Sequence, residues 1–288
     1  MVATFGGNSS DGSLRLEKFI HTLYSTSRKL MKSILLTAAL AAFAVQARAQ
    51  TATAPRAAAD QIATKKGPLT VQPITHGSVV FTWNGKTIYV DPYGGASAYA
   101  GLAAPDVILI TDIHGDHLDP KTLAGLSVGK ALMVVPKAVA AQLPAEYKAQ
   151  VRILNNGQRL DTLGMTVSAI PMYNLPEAAD APHTKGRGNG YVLGLGGKNV
   201  YLSGDTEDIA EMRALKGIDV AFVCMNLPYT MDVNQAAQGV LAFKPGIVYP
   251  YHYRGQNGLS DVAAFKKTVN AANKKIDVRL RNWYPAAK

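Results

Sequence analysis

The segment Asp112-Ile113-His114-Gly115-Asp116-His117 sets two imidazoles and two carboxylates side by side, directly after the apolar run Val107-Ile108-Leu109-Ile110. Such groups lose their solvation at a cost unless they are hydrogen-bonded or bound to a cation, so their crowding at the mouth of a buried strand implies a shared partner. A divalent metal is that partner, and the chemistry it offers is activation of water near neutral pH. Alternation along the loop sends Asp112, His114 and Asp116 one way, while a tight turn at Gly115 lets His117 approach from another. The alternative is a polar turn whose histidines cap a helix, which leaves the density of ligand-type groups without a cause.

Further groups of the same chemistry fall just after expected strands. Asp205 follows a strand over 199–203 in Ser203-Gly204-Asp205-Thr206, and His252 follows Ile247-Val248-Tyr249-Pro250-Tyr251. Taken alone, Asp205 reads as the cap of a helix starting at Glu207 and His252 as an interior histidine. Loops at one edge of a sheet scaffold are where chemistry concentrates, and their joint occurrence with residues 112–117 points to convergence.

The elements that must position these groups follow from the hydrophobic period. Strand-like runs cover 69–90, the last two joined at Asn84-Gly85, a dipeptide suited to a tight hairpin. A buried strand over 106–111, a helix near 119–126, a strand over 131–135, a short helix after Pro136 and strands near 151–154 and 164–170 come next. The second half repeats the rhythm: strands over 190–195 and 199–203, helix 207–214, strand 218–224, helix 232–243, strand 246–250, helix 260–272 and a last strand near 276–281. This pattern predicts an α/β fold, an αββα sandwich of two packed mixed β-sheets with helices on the outer faces.

The 288-residue chain is 48% hydrophobic and 17% charged, which suits a globular protein. Residues 1–30 read as a non-native N-terminal extension ahead of Met31. Residues 31–49 have the basic start, short apolar stretch and Ala47-Arg48-Ala49 ending of a signal peptide, so a periplasmic or secreted location is expected, with no stable membrane span after cleavage. Residues 50–66 read as a flexible linker and 67–288 as the folded domain. The net charge is +10; the first 49 residues hold six Lys/Arg and two Asp/Glu, leaving 24 basic against 18 acidic residues, or +6. That mild, scattered excess lacks an aromatic-interleaved basic patch, so no nucleic-acid partner is expected. The single cysteine, Cys224, sits in an apolar run and reads as a buried, inert thiol.

Over residues 69–255 the chain resembles the metallo-β-lactamase superfamily. The family motif His-x-His-x-Asp-His is met by Asp112-x-His114-x-Asp116-His117, its bridging aspartate by Asp205 and its late histidine by His252. Within the superfamily the chain is most similar to the branch of metal-dependent hydrolases that includes L-ascorbate-6-phosphate lactonase, on Thr75-His76-Gly77, Val90-Asp91-Pro92-Tyr93, Pro228-Tyr229-Thr230-Met231, Lys244-Pro245 and Pro250-Tyr251-His252-Tyr253. The resemblance implies one or two divalent ions held by Asp112, His114, Asp116, His117, Asp205 and His252, with Asp116 and Asp205 as the catalytic pair.

The motif is broken in two places. Asp112 stands where the family has histidine, and the histidine expected between His117 and Asp205 is replaced by a choice between Asn174 and His183. The oxygen donor favours harder ions, so manganese or iron is possible beside zinc, the leading expectation. The resemblance implies a hydrolase acting on an ester, lactone or phosphoester-type small molecule, and residues 31–49 make it an exported one. The alternative is a metal-binding protein that binds or senses a ligand without turnover. His76, His183, Asn226, Tyr229 and Tyr253 are the candidates to meet substrate, Asp91 is expected to accept from a ligand histidine, and Lys185 and Arg187 stand in a glycine-rich loop that can act as a lid and recognise an anion. The oligomeric state is open.

Overall fold

The computed structural model describes residues 56–285. The first half builds β1 (Asp60–Thr64), β2 (Gly67–Thr75), β3 (Ser78–Trp83), β4 (Lys86–Val90), β5 (Val107–Leu109), α1 (Pro120–Gly125), β6 (Leu132–Val135), α2 (Lys137–Gln142) and β7 (Val151–Ile153). The second builds β8 (Arg159–Thr162), β9 (Met165–Met172), β10 (Gly188–Leu195), β11 (Lys198–Leu202), α3 (Ala210–Arg213), β12 (Val220–Val223), α4 (Val233–Phe243) and β13 (Ile247–Pro250). A small hairpin of β14 (Arg254–Gly255) and β15 (Gly258–Leu259), then α5 (Val262–Ala272) and β16 (Asp277–Val278), complete the described residues.

Two seven-stranded mixed sheets result, ordered β1-β2-β3-β4-β5-β6-β7 and β16-β13-β12-β11-β10-β9-β8. Each is an antiparallel meander continued by parallel strands: β4 pairs parallel with β5, and β11 parallel with β12. The period of two is visible in the packing. Val79, Phe81 and Trp83 of β3, Ile88 and Val90 of β4, and Val107 and Leu109 of β5 share the main core with Val167, Leu193, Val200 and Leu202 of the other sheet. Their neighbours Val80, Tyr89, Ile108 and Met133 turn to the opposite face, where Leu123 of α1 and Val139 of α2 cover them. Both faces of these strands are buried, which is why they read as continuous apolar runs rather than alternating ones. The expected αββα sandwich is the observed architecture. Both hairpin dipeptides do what their residues allow: Asn84 and Gly85 have φ of 48° and 70°, and Gly196 and Gly197 have 57° and 84°, the left-handed pairs that a two-residue turn needs.

The structure corrects the sequence reading at the domain's start. Residues 60–64, expected to be flexible linker, form edge strand β1, paired antiparallel to β2 from Asp60 opposite Val71 to Thr64 opposite Gly67. The ties of this strand are polar, so no apolar alternation announced it: Tyr249 Oη donates to Asp60 Oδ2 at 2.6 Å and Arg281 Nη2 to Asp60 Oδ1 at 2.5 Å. β8, also unexpected, is an exposed edge of alternating polar residues. The helix expected over 207–214 is confined to α3, and the last strand to β16. The extension (1–30), the signal peptide (31–49) and residues 50–55 lie outside the described residues. Among the described residues no helix is long and apolar enough to cross a membrane.

Candidate metal centre

The polar residues gather where the parallel strands of both sheets end. Asp91 follows β4, residues 111–117 follow β5, Asp205 follows β11 and His252 follows β13. His76 stands in the tight turn between β2 and β3. His76, Asp91 and His252 have φ of 53°, 41° and 46°, so three of the left-handed non-glycine residues among the described residues belong to this one site. That conformation is disfavoured for a side-chain-bearing residue and persists only where surrounding structure enforces it. Close approach is enforced as well: a Cβ on Gly77 would lie 3.1 Å from His252 Cδ2 and 3.6 Å from His117 Cε1.

The heart of the site is a ring of nitrogen and oxygen donors. His117 Nε2 lies 3.1 Å from His252 Nε2 and 3.4 Å from Asp205 Oδ2. His252 Nε2 lies 3.3 Å from Asp205 Oδ1 and 3.3 Å from Asp116 Oδ2. Donors around a tetrahedral zinc at roughly 2.0–2.1 Å are separated by about 3.3 Å, so the observed spacings fit such an ion. Two buried atoms aimed into this space, Asp205 Oδ1 and His183 Nε2, have no hydrogen-bond partner, which a cation would supply. Electrostatics agree. Burial alone would raise the Asp205 carboxyl, but His252 and His117 outweigh it and hold the group well below its ordinary range. Burial alone would lower the His117 imidazole, but Asp205 and Asp91 raise it well above its ordinary value. The cluster stabilises positive charge.

Asp91 makes the contact expected of it. Fully buried, it accepts at Oδ1 from Thr111 N at 2.7 Å and at Oδ2 from Thr111 Oγ1 at 2.6 Å, and its Oδ2 lies 2.9 Å from His117 Nδ1. With Nδ1–H donating to this carboxylate, the lone pair of Nε2 is directed at the donor ring. His76 is held in a directed chain: Arg254 N donates to Tyr284 Oη at 3.2 Å, Tyr284 Oη donates to His76 Nδ1 at 2.7 Å, and His76 Nε2 donates to Asp116 Oδ2 at 2.9 Å. His76 therefore orients Asp116 rather than lining the cleft. No pattern in the sequence pointed to Tyr284.

The choice between Asn174 and His183 resolves into a pair. The loop folds back so that His183 Nε2 lies 3.3 Å from Asp205 Oδ2, while Asn174 Oδ1 accepts from His183 N at 2.7 Å and faces His183 Nδ1 at 3.1 Å. The imidazole meets the site and the amide orients it.

Asp112 is the departure. Its carboxylate, with no exposed side-chain surface, accepts from Arg187 Nε at 3.1 Å and Nη2 at 2.9 Å, and Oδ2 lies 2.9 Å from His114 Nδ1. Burial would raise this carboxyl, but His114 and Arg187 bring it down to about 2. Arg187, expected to recognise a substrate anion, is engaged by an anion of the protein itself. The sequence signal was the substitution at 112: a buried carboxylate in place of an imidazole needs a cation. Lys185 turns away, onto Glu177 and Glu211 at 3.0 and 3.3 Å.

A cleft of about 420 Å³ opens over the site, lined by His114, Asp116, His183, Asp205, Asn226 and Tyr229. His183, Asn226 and Tyr229 thus stand where substrate candidates must. Tyr253 does not: its hydroxyl donates to Arg281 O at 3.2 Å and its ring packs edge-on to Tyr284, because the C-terminal segment covers it. Cys224 is buried, and burial pushes its thiol up to about 11, the inert thiol that its apolar run suggested.

Residues 70–252 match the sequence model of the Beta-lactamase superfamily domain. A UPF0173 metal-dependent hydrolase of Pyrococcus abyssi is 30% identical over 203 residues, which span 66% of this chain and 88% of the relative. Among solved structures, a Parabacteroides distasonis protein described as a metal-dependent hydrolase is 37% identical with a TM-score of 0.69, covering 78% of this chain and 98% of that one. Igni18, a metallo hydrolase of Ignicoccus hospitalis, shares the fold at 24% identity and a TM-score of 0.63, over 74% of this chain and 94% of its own. The relatives overturn the periplasmic or secreted location. The UPF0173 proteins of Pyrococcus, Thermus and Thermoplasma are matched over 88%, 83% and 82% of their own length by this hydrolase region, and residues 31–49, on which export rested, lie outside the described residues.

Proposed function

This chain belongs to the beta-lactamase superfamily, and on that premise we propose that it hydrolyses a small-molecule ester, lactone or phosphoester, with zinc held by Asp116, His117, Asp205 and His252. The coarser statement, a metal-dependent hydrolase, stands on the relatives of the same name. The observation that carries the finer one is the donor ring around Asp205, in which four side chains from both halves of the fold converge at 3.1–3.4 Å.

A divalent ion in this position lowers the pKa of water from about 16 to about 7 and polarises the bond under attack. The protein's own groups do the rest. Asp91 fixes the His117 ring so that only Nε2 faces the site. Asp116, held by His76 and exposed to the cleft, is placed to accept a proton from an attacking water and orient it. Asn226 and Tyr229 line the same cleft, where an amide and a phenol can hold the substrate. A cleft of this size suits a small molecule rather than a polymer.

The test is a panel of lactones, carboxylic esters and phosphoesters assayed with protein of known metal content, alongside Asp205→Ala. Turnover in one class, lost together with the bound metal in the variant, is expected. Metal-loaded protein that cleaves none of the three classes would remove the substrate assignment and return the non-catalytic binding alternative.

A further inference from the structure

We propose that Arg187 takes the place of a second metal ion: its guanidinium, seated on Asp112, is the resident cation at the other end of the site, so the protein holds one divalent ion per chain. The inference rests on the reading that the Asp205 ring holds the first ion, and it fixes how many ions the chemistry uses.

Three groups of ligand-type atoms exist among the described residues around the cleft: His117, Asp205 and His252 share His252 with His76, Asp116 and His252 and form one cluster with them, and Asp112, His114 and His183 form the other. They differ in what already faces them. In the first cluster the atoms face one another, with Asp205 Oδ1 left without a hydrogen-bond partner; the orphaned atom of the other, His183 Nε2, lies closer to Asp205 Oδ2, at 3.3 Å, than to Asp112 Oδ2, at 3.9 Å. In the second, both oxygens of Asp112 are taken by one guanidinium, at 3.1 and 2.9 Å, in the two-pronged geometry that makes arginine–carboxylate pairs strong. The same Nη2 donates to Pro182 O at 2.5 Å and lies 3.5 Å from His114 Nε2. The imidazole that would turn to an ion therefore faces a positively charged N–H instead. His114 Nδ1 is also occupied, 2.9 Å from Asp112 Oδ2.

A second ion in this cluster would sit within a few ångströms of the guanidinium and compete with it for the same two oxygens. Like charges at that range repel strongly in a site shielded from water. Eviction of Arg187 would also strand a guanidinium whose side chain is 81% covered, given its 19% relative exposure. The exchange of histidine for aspartate at 112 and the placement of arginine at 187 are thus two halves of one change: a neutral ligand and a mobile divalent ion are replaced by a carboxylate and a tethered monovalent cation. His183 is the residue this releases. With no second ion to bind, its Nε2 stays directed at Asp205 Oδ2, 3.3 Å away, on the wall of the cleft.

Metal stoichiometry decides the matter without an activity assay. Protein dialysed against excess zinc, or against excess manganese, and then freed of loose ions is expected to retain one equivalent per chain by elemental analysis, and the manganese form to give the electron paramagnetic resonance spectrum of an isolated ion. Two retained equivalents, or a spin-coupled manganese pair, would overturn the proposal while leaving the metal-dependent reading in place. No retained metal would overturn that reading and the proposal with it. The double variant Asp112→His/Arg187→Ala, which leaves no buried charge uncompensated, is expected to rise from one equivalent to two; a count that stays at one would show that Arg187 is not what excludes the second ion, and would likewise overturn the proposal.

Discussion

His117 Nε2 and His252 Nε2 lie 3.1 Å apart, although 135 positions separate them in the chain. His117 belongs to the first sheet's loops and His252 to the second's, and neither nitrogen has another way to be satisfied as well as by a shared cation. Metal bound there joins the halves of the fold. At a free ion concentration about 1,000 times the dissociation constant, binding adds about 4 kcal/mol to stability. For a domain of this size that corresponds to a rise in melting temperature on the order of 10 °C. Calorimetry with and without chelator, followed by zinc readdition, is the check; an unchanged melting temperature would contradict the shared ion.

Asp91 never touches the donor ring, yet it determines which nitrogen of His117 does. Asp91→Asn replaces an acceptor by a group that can also present N–H to Nδ1, so the ring can no longer be held in one tautomer. Metal affinity is expected to fall by about 10–100-fold. Competition against a chromogenic chelator measures this directly, and a loss of fold rather than affinity would show in circular dichroism of the same sample.

Tyr284→Phe removes only the hydroxyl that bonds His76 Nδ1 at 2.7 Å. His76 then loses the contact that keeps its Nε2–H on Asp116. Metal content is expected to stay unchanged while kcat falls about tenfold, which corresponds to roughly 1.4 kcal/mol in the barrier. A drop in metal content of equal size would instead place Tyr284 in support of the ion.

The pairing of Asp112 with His114 and Arg187 sets a pH dependence. The folded carboxyl lies near 2 against an ordinary value of 3.8. A depressed folded pKa contributes stability that is present above the unfolded value and is lost as pH falls through the folded one. The contribution is roughly 2 kcal/mol, and its window runs from about pH 4 down to about pH 2. Urea unfolding of metal-free wild type and Asp112→Asn should differ near neutral pH and converge across that window. Two curves that remain parallel down to about pH 2 would show that the carboxylate is not stabilised by His114 and Arg187.

Most of the scaffold was legible because its strands carry their burial on their surface: residues 107–110 and 220–223 are apolar without a break and are buried on both faces. The donors of the Asp205 ring were legible for a related reason, since each follows a strand that ends in buried residues. What escaped was held by polar ties between distant segments. β1 has a single well-buried side chain, Ile62, and depends on Asp60 reaching Tyr249 and Arg281. Arg187 was visible as a charge in a glycine-rich loop, but its partner was 75 positions away. Tyr253 and Tyr284 show the limit from the other side: of these two tyrosines, the one adjacent to His252 packs against the tail, and the remote one bonds His76.

The stretch after His252 carries a consequence for comparing relatives. The superfamily match ends at residue 252, yet Trp283 is buried edge-on to Phe222 and Tyr251, and Tyr284 closes on the turn between β2 and β3. The terminus thus acts as a clasp, returning across the molecule to grip its opening hairpin. Exchanging that tail between homologues would retune the surroundings of Asp116 while leaving every side chain of the donor ring in place, a route by which one scaffold can diversify its chemistry outside the block by which it is identified.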